Sequence, residues 1–306
     1  MRLFLTSDIH TDIWFEYAIA DRKRLEPDDP DESVVFETLE YIWNLYRYPT
    51  DVDGICVAGD ITNDFKSTCS TLAWLSQKYK KVFFCVGNHD LVVRGGTPSK
   101  SNLQFLSSFE KVTNLERFAD SLGNVHLLDS SMVHPGIAGT MGFCDFKSTC
   151  SGDFAERMKI HWRRNWFDGN HWRLDDMNPD FRWKASQEAM LNTVRMQPKI
   201  MMTHYTPIQA GITFDYRNDP ANAFFYFDGT EFFEELDHDT IWLCGHVHDA
   251  RKAEYVNANG FKVTILCNPS GYPSDEHKWL YRVDDRGRAI SDKPLDQSDF
   301  VVDINI

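Results

Sequence analysis

The chain has 306 residues and a formal net charge of −14, because 46 acidic residues outnumber 32 basic ones. A hydrophobic fraction of 42% and a charged fraction of 25% are ordinary for a globular protein and exclude a disordered acidic chain. The acidic balance argues against a general nucleic-acid binder, because the phosphate backbone demands clustered Lys and Arg.

In chain order, apolar runs alternate with amphipathic segments. The predicted elements are strand 3–6, helix 33–46, strand 54–58, helix 67–79, strand 82–86, helix 103–122, strands 125–128 and 136–140, helix 184–197, and strands 200–203, 240–244 and 262–267. The apolar tail 300–306 is a candidate closing strand. This alternation of strands and helices predicts an α/β fold with buried sheets.

The domain organisation is predicted to be a single domain over 1–306. It contains an aromatic-rich insertion at about 145–183 and a polar C-terminal tail at about 284–306. The same seven residues, DFKSTCS, occur at 64–70 and at 145–151, but their flanks differ, so they do not define a structural repeat.

The sequence offers neither a targeting segment nor a membrane span. Leu3–Leu5 is the apolar run near the start, whereas a signal peptide needs about 7–15 apolar residues and a membrane helix about 18. The seven cysteines are an odd number and have no zinc-site spacing. We therefore expect a reducing, cytoplasmic location and no membrane contact.

Potential metal ligands follow five of the predicted strands. They are Asp8 and His10, Asp60, Asn88, His204, and the pair His246 and His248. Ligands of α/β sheets gather beyond the carboxyl ends of strands, so we expect these side chains to converge. Residues two apart on an extended strand face the same side, and this predicts that Asp8 with His10, and His246 with His248, point into one pocket.

Seven ligands exceed the four to six that one ion needs, and they suit two ions that share a bridging carboxylate. Imidazole, carboxylate and amide groups favour Mn, Fe, Zn, Co or Ni over Ca. Each residue alone has a structural explanation, such as a strand-end cap or a turn, but five such strand ends together point to a metal site.

The ordered motifs Asp-x-His, Gly-Asp, Gly-Asn-His-Asp, His and Gly-His-x-His, from Asp8 to His248, resemble those of the calcineurin-like metallophosphoesterase superfamily. The resemblance implies a four-layer αββα sandwich, in which two mixed β-sheets are flanked by helices. It also implies a binuclear metal phosphoesterase. Such an enzyme uses a hydroxide held by two divalent ions for in-line attack on phosphorus.

The resemblance also implies residue roles. Asp8, His10, Asp60 and His248 would hold the first ion. Asp60, Asn88, His204 and His246 would hold the second, with Asp60 bridging. His89 would contact the phosphate and donate a proton to the leaving oxygen, and Asp90 would orient His89. The predicted partner is a small phosphodiester or phosphomonoester, and the sequence is silent on the oligomeric state.

Departures from related families narrow the prediction. Ser/Thr protein phosphatases resemble Gly-Asp-x-x-Asp-Arg-Gly followed by Gly-Asn-His-Glu, whereas this chain has Asn63 after Asp60 and ends the second motif in Asp90. Purple acid phosphatases have Tyr where Asn63 stands, so a tyrosinate–iron(III) site is not expected. The alternatives are a nuclease of the same superfamily, which the acidic charge disfavours, and a non-catalytic interaction scaffold, which the complete ligand set disfavours.

Further candidate residues lie outside the motifs. The segment 161–183 interleaves four Trp with four Arg, and is either a lid that stacks on substrate or an insertion packed on the sandwich, with packing favoured. The run Phe224–Phe227 has the same two interpretations. Lys66, Arg94 and Arg217 follow motif segments and are candidate phosphate contacts, although a solvated surface charge is the simpler explanation for each.

Overall fold

The computed structural model describes residues 1–18, 31–93, 102–134, 136–147, 152–209, 220–273, 281–282 and 295–304. The elements in this part of the chain are β1 (Arg2–Thr6), α1 (Thr11–Ala18), α2 (Glu32–Tyr46), β2 (Gly54–Ala58), α3 (Phe65–Lys78), β3 (Lys81–Cys85), α4 (Ser108–Leu122), β4 (Val125–Leu127), β5 (Ser131–His134), β6 (Ile137–Gly139), α5 (Asp153–Asn165), α6 (Phe167–His171), α7 (Pro179–Val194), β7 (Ile200–Met202), α8 (Thr230–Phe233), β8 (Thr240–Cys244), β9 (Arg251–Val256), β10 (Lys262–Cys267), β11 (Tyr281–Arg282) and β12 (Val301–Asp303).

The strands form two mixed sheets. The first has the order β12-β1-β2-β3-β4, with β1 to β4 parallel and β12 antiparallel to β1. The second has the order β11-β9-β10-β8-β7-β6-β5, with a parallel centre formed by β10, β8, β7 and β6. All five residues of β2 are buried, as expected for a parallel strand covered on both faces.

The layers follow from the alternation of side chains along the strands of the second sheet. Ile200, Met202 and Leu243 pack into the core shared with the first sheet and helices α1 to α4. Met201 and Trp242 point to the opposite face and pack with the aromatic side chains of the insertion, α7 and α8. The result is the αββα sandwich of two mixed sheets flanked by helices, so the predicted fold class is confirmed.

Most predicted elements lie within one or two residues of their observed bounds, but two helices were placed wrongly. Helix α4 begins at Ser108 rather than at 103, because the Ser107 side chain caps it by accepting from the Glu110 amide. Helix α7 begins at Pro179 rather than at 184 and ends at Val194, because proline is tolerated in the first turn behind the Asn178 cap. The predicted closing strand is present as β12.

The elements that the sequence patterns did not predict are α1, α5, α6, α8, β5, β9 and β11. The first DFKSTCS segment begins with the N-cap Asp64 and forms the first turns of α3. The second extends to 147 in the described residues and lies beyond them at 148–151.

The described cysteines are free thiols. Across the ranges given above, none of the helices has the length and apolar character required to cross a bilayer.

Candidate metal centre

All seven predicted ligands are brought together at the carboxyl ends of β1, β2, β3, β7 and β8. Side-chain donor atoms within 4.8 Å of one another form three overlapping groups. These groups are Asp8, His10 and His248; His10, Asp60 and His89; and Asp60, His204 and His246. Asp60 belongs to two of them and therefore lies between the two ends of the site.

The backbone reaches the site through left-handed turns, not through continued strands. Asp8, His10, Asp60 and His246 have φ values of 49°, 47°, 54° and 68°. The prediction that each pair points one way because of strand alternation is therefore wrong in its reason, since β1 ends at Thr6 and β8 at Cys244. Non-glycine residues in this region carry strain of about 1–3 kcal/mol each, and such strain concentrates at functional sites.

Two glycines allow the turns to approach each other. Gly59 has φ +80°, and a Cβ there would lie 2.6 Å from His204 Nδ1. A Cβ on Gly87 would lie 2.2 Å from Asp60 Oδ1. Any side chain at either position would collide with a predicted ligand, so glycine is needed for close approach as much as for conformational freedom.

The first end of the site is formed by Asp8, His10 and His248. Nε2 of His10 lies 3.2 Å from Nε2 of His248 and 3.6 Å from Asp60 Oδ2. Asp8 Oδ1 lies 3.7 Å from His248 Nε2 and accepts a hydrogen bond from the His246 amide at 3.0 Å.

The second end is formed by Asn88, His204 and His246. Nε2 of His204 lies 2.8 Å from Asn88 Oδ1, 3.2 Å from His246 Nδ1 and 3.3 Å from Asp60 Oδ2. The far nitrogen of each ring faces a backbone carbonyl: His204 Nδ1 contacts Ala58 O at 2.8 Å, and His246 Nε2 contacts Phe224 O at 3.2 Å. Carbonyls in these positions hold the ring N–H away from the site and leave the other nitrogen free to bind a metal.

The donor set fits divalent transition metals. Two ligand nitrogens about 2.0–2.1 Å from one ion and about 3.2 Å apart subtend an angle near 100°, which is compatible with tetrahedral or octahedral coordination. Two fully buried carboxylates, Asp8 and Asp60, also need positive charge nearby, because an isolated buried charge is costly. These residues could therefore hold two ions.

The electrostatics show the same need for a cation. Burial raises the pKa of Asp8, and the positive charge of nearby histidines only partly opposes it. Burial disfavours the charged forms of both Asp60 and His204. Their mutual attraction outweighs this effect, so the pKa of Asp60 lies well below its usual value and the pKa of His204 is raised to about 10. The buried carboxylates of Asp8 and Asp60 therefore need positive charge beside them, which a bound cation would supply.

His89 lies beside the predicted ligands, with Nε2 3.9 Å from Asp60 Oδ2 and its side chain 12% exposed. Its Nδ1 pairs with Asn63 Oδ1 at 2.7 Å, and its Nε2 lies 3.3 Å from the Tyr272 hydroxyl. The Phe167 ring stacks on the imidazole with centroids 4.5 Å apart and planes 24° apart.

The prediction that Asp90 orients His89 is wrong. Asp90 Oδ2 accepts from the amides of Gly87 at 2.8 Å and Asp60 at 3.0 Å, while Oδ1 accepts from Ile61 at 3.1 Å. The short 3₁₀ turn after β3 directs this carboxylate to the backbone of the neighbouring loop. Asp90 therefore joins the β2 and β3 loops, and Asn63 is the side chain that orients His89.

Several residues of the site were missed by the sequence patterns. Asn63 was noted only as a departure from related motifs. Asp168 and Trp172, from the insertion, hydrogen-bond the side chain and the carbonyl of Asn88. The Phe225 ring lies 5.0 Å from that of His246. Trp172 and Phe225 lie in segments that the sequence marked as a possible substrate lid, but no sequence signal assigned these residues or Asp168 to the support of Asn88 and His246.

The insertion packs on the sandwich, as favoured from the sequence. Trp162, Trp172 and Trp183 are buried, and Trp166 contacts Phe224 with ring centroids 4.6 Å apart. Lys66 is exposed on α3, while Arg94 and Arg217 lie outside the described residues.

Comparison with known proteins gives one matching family model and several similar solved structures. The family model described as calcineurin-like phosphoesterase matches residues 1–250. The crystal structure of a phosphopantetheinyl hydrolase from Mycobacterium tuberculosis superposes with a TM-score of 0.60 at 17% identity, covering 89% of each chain. A metallophosphoesterase from Sphaerobacter thermophilus gives a TM-score of 0.33 at 13% identity, covering 91% of this chain and 81% of the other. Curated protein sequences give no significant match.

Proposed function

This chain belongs to the calcineurin-like phosphoesterase family, whose chemistry is metal-dependent hydrolysis of phosphoesters, and we propose that it cleaves a small phosphodiester or phosphomonoester. The observation that carries the proposal is the convergence of seven ligand-type side chains, with Asp60 at their centre. A site with two groups of donors that share one carboxylate suits two ions rather than one.

The proposed ligands divide between the two ends of the site. Asp8, His10 and His248 would hold one ion, and Asn88, His204 and His246 would hold the other, with Asp60 available to both. Two divalent ions bound there would supply Lewis-acid stabilisation of the phosphate and a nucleophilic water at neutral pH.

His89 is proposed to handle the proton of the reaction. Asn63 Nδ2 donates to Asp12 Oδ2 at 2.8 Å, which fixes the amide so that its Oδ1 faces His89 Nδ1. His89 Nδ1 therefore carries a hydrogen, and Nε2 is the ring atom that meets substrate. Burial lowers the pKa of His89 to about 4, and the negative charge of a bound phosphate would raise it. In the protonated ring, Nε2 can donate a hydrogen bond to the phosphate or a proton to the leaving oxygen.

Phe167 and Tyr272 support the position of His89. The Phe167 ring covers one face of the imidazole, and the Tyr272 hydroxyl lies beside Nε2. Both groups restrict the rotation of the His89 side chain and hold Nε2 at the mouth of the site.

The test is reconstitution of metal-stripped protein with Mn²⁺, Fe²⁺, Zn²⁺ or Co²⁺, assayed on bis(p-nitrophenyl) phosphate and p-nitrophenyl phosphate. The Asp60→Asn and His89→Ala variants should lose most of the rate. Asp237→Asn and His238→Ala are matched controls, because this surface pair changes the same residue types away from the site.

A full rate in the metal-stripped protein would contradict the proposal. Single- and double-stranded DNA serve as additional substrates. If either DNA is cleaved well above the rate measured for the small esters, the proposed substrate class becomes a nucleic acid instead of a small phosphoester.

A further inference from the structure

Helix α6 of the aromatic insertion lies directly against the Asn88–His89 dipeptide. Asp168 contacts the Asn88 side chain, and Phe167 stacks on the His89 ring. Trp172, the C-cap of α6, donates from Nε1 to the Asn88 carbonyl at 2.7 Å. One short segment therefore contacts both the side chain and the backbone of a proposed metal ligand, as well as the proposed proton donor.

The Asp168 carboxylate is fully buried and accepts three hydrogen bonds. Oδ1 accepts from Asn88 Nδ2 at 2.9 Å, while Oδ2 accepts from the Tyr205 hydroxyl at 3.1 Å and from Trp162 Nε1 at 3.3 Å. Tyr205 and Trp162 are both donors here, so neither of them accepts the hydrogen bond that the Asn88 N–H gives to Asp168.

The bond to Asp168 determines which way the Asn88 amide faces. A carboxylate only accepts hydrogen bonds, so Asn88 must present its NH₂ group to Asp168. Its Oδ1 is then directed toward His204 Nε2, 2.8 Å away, where the second ion is proposed. The reversed amide would present N–H groups to the cation and lose the bond to Asp168.

We propose that Asp168 is a positioning residue that holds the Asn88 amide with its oxygen toward the second metal ion. This inference rests on the proposed function, because it assigns Asn88 to an ion. It makes the insertion a structural support of the metal centre rather than only a cover over the second sheet. Partners of this kind typically change metal affinity about 10- to 100-fold when they are removed.

The Asp168→Asn substitution tests the proposal with little change in volume. Tyr205 and Trp162 both donate to one oxygen, so the new amide satisfies more donors with its carbonyl toward them and its NH₂ toward Asn88. Asn88 must then turn its own oxygen away from the ion. Calorimetric titration of metal-stripped protein with Mn²⁺ should show two ions in the wild type and a second ion bound about 10- to 100-fold more weakly in the variant.

Tyr205→Phe is the matched control, because it removes a hydrogen bond from the other oxygen of Asp168 and leaves the bond to Asn88. It should bind the second ion within a few-fold of the wild type. The exchanged pair combines Asn88→Asp with Asp168→Asn. The amide NH₂ at position 168 then donates to the carboxylate at position 88, whose other oxygen can face the ion, so this double variant should recover second-ion binding relative to Asp168→Asn alone. Asn88→Asp alone is the reference, because a carboxylate ligand strengthens cation binding by its charge; second-ion binding by the exchanged pair above that reference supports the positioning role.

The outcomes separate the two proposals. If wild-type protein binds fewer than two ions, the proposed function itself fails. If wild type binds two ions and Asp168→Asn binds both equally well, the positioning role is wrong and the function stands. If Asp168→Asn does not fold, the exchanged pair decides: two bound ions support the role, whereas one bound ion or an unfolded protein contradicts it.

Discussion

Replacement of Gly87 by alanine is the sharpest steric test of the site. A Cβ at this position would lie 2.2 Å from Asp60 Oδ1 and 2.5 Å from the Asp60 amide nitrogen. Ordinary contacts begin at 3.4 Å, so the Asp60 turn and the Gly87 loop must separate by about 1.2 Å. Neither can move freely, because Asp60 Oδ1 accepts from the His89 amide and the Asp60 amide donates to Asp90.

The expected cost follows from that displacement. A shift of about 1 Å in a catalytic group can cost roughly 10²-fold in rate, and overpacking costs about 1–3 kcal/mol of stability. Gly87→Ala should therefore lower kcat/KM about 100-fold. It should also weaken the binding of both ions, because Asp60 is the shared ligand.

Gly54→Ala provides the matched control at the opposite end of β2. Its Cβ would meet the Lys81 carbonyl at 2.7 Å, so it should lower the free energy of unfolding without moving Asp60. Urea unfolding, Mn²⁺ titration and phosphoester kinetics are measured on both variants. A Gly87→Ala protein with wild-type kcat/KM and wild-type metal affinity would refute the steric reasoning.

Three further predictions concern polar side chains, Asn63, Asp8 and Lys111. Asn63→Ala removes the acceptor for His89 Nδ1 and should lower kcat about 10- to 100-fold with unchanged metal content, measured by steady-state kinetics and elemental analysis; an unchanged kcat would remove Asn63 from the mechanism. Asp8→Asn should abolish the part of the Mn²⁺ stabilisation that comes from the first ion, about 2.7 kcal/mol at 100 times its Kd, in calorimetric melts; full retention of the wild-type stabilisation would mean that Asp8 is not a ligand. Burial lowers the pKa of Lys111 to about 8 from 10.5, so the unfolded chain holds the extra proton between these values. The stability of the wild type relative to Lys111→Met should then be constant below pH 8 and rise by about 3 kcal/mol towards pH 10.5 in urea titrations, and a difference that stays flat with pH would contradict the assignment.

The convergence of the seven proposed ligands could be predicted from the sequence because each of them follows a buried strand. Strands such as β2 and β3 are continuous apolar runs, and the register of a parallel sheet brings their carboxyl ends to one edge. Asp60 and Asn88 are therefore brought together by features that are local in sequence. The prediction that Asp8 and His10 continue the strand was wrong, because both residues lie in left-handed turns. Tertiary contacts stabilise these turns, and hydrophobic periodicity does not encode such contacts.

The supporting side chains could not be predicted for a different reason. Asp168 and Asn88 are 80 residues apart, and 183 residues separate Tyr272 from His89. Helix α6 is only five residues long and carries no apolar period, so neither its existence nor its docking has a local signal. The assignment of Asp90 failed similarly: adjacency in sequence suggested a His–Asp pair, but the 3₁₀ turn sends the two side chains to different partners.

The site combines two costs that the rest of the fold must offset. Four proposed ligands occupy strained left-handed conformations, and two of them, Asp8 and Asp60, are also fully buried carboxylates. Backbone hydrogen bonds between the turns stabilise these strained conformations. The Asp8 amide donates to the Gly59 carbonyl at 3.0 Å, and the His10 amide donates to the Asp60 carbonyl at 3.1 Å. These bonds fix the turns that follow β1 and β2 in the first sheet, and the two buried carboxylates need positive charge beside them. A rigid pocket that contains two buried carboxylates favours binding of a cation over rearrangement of the turns.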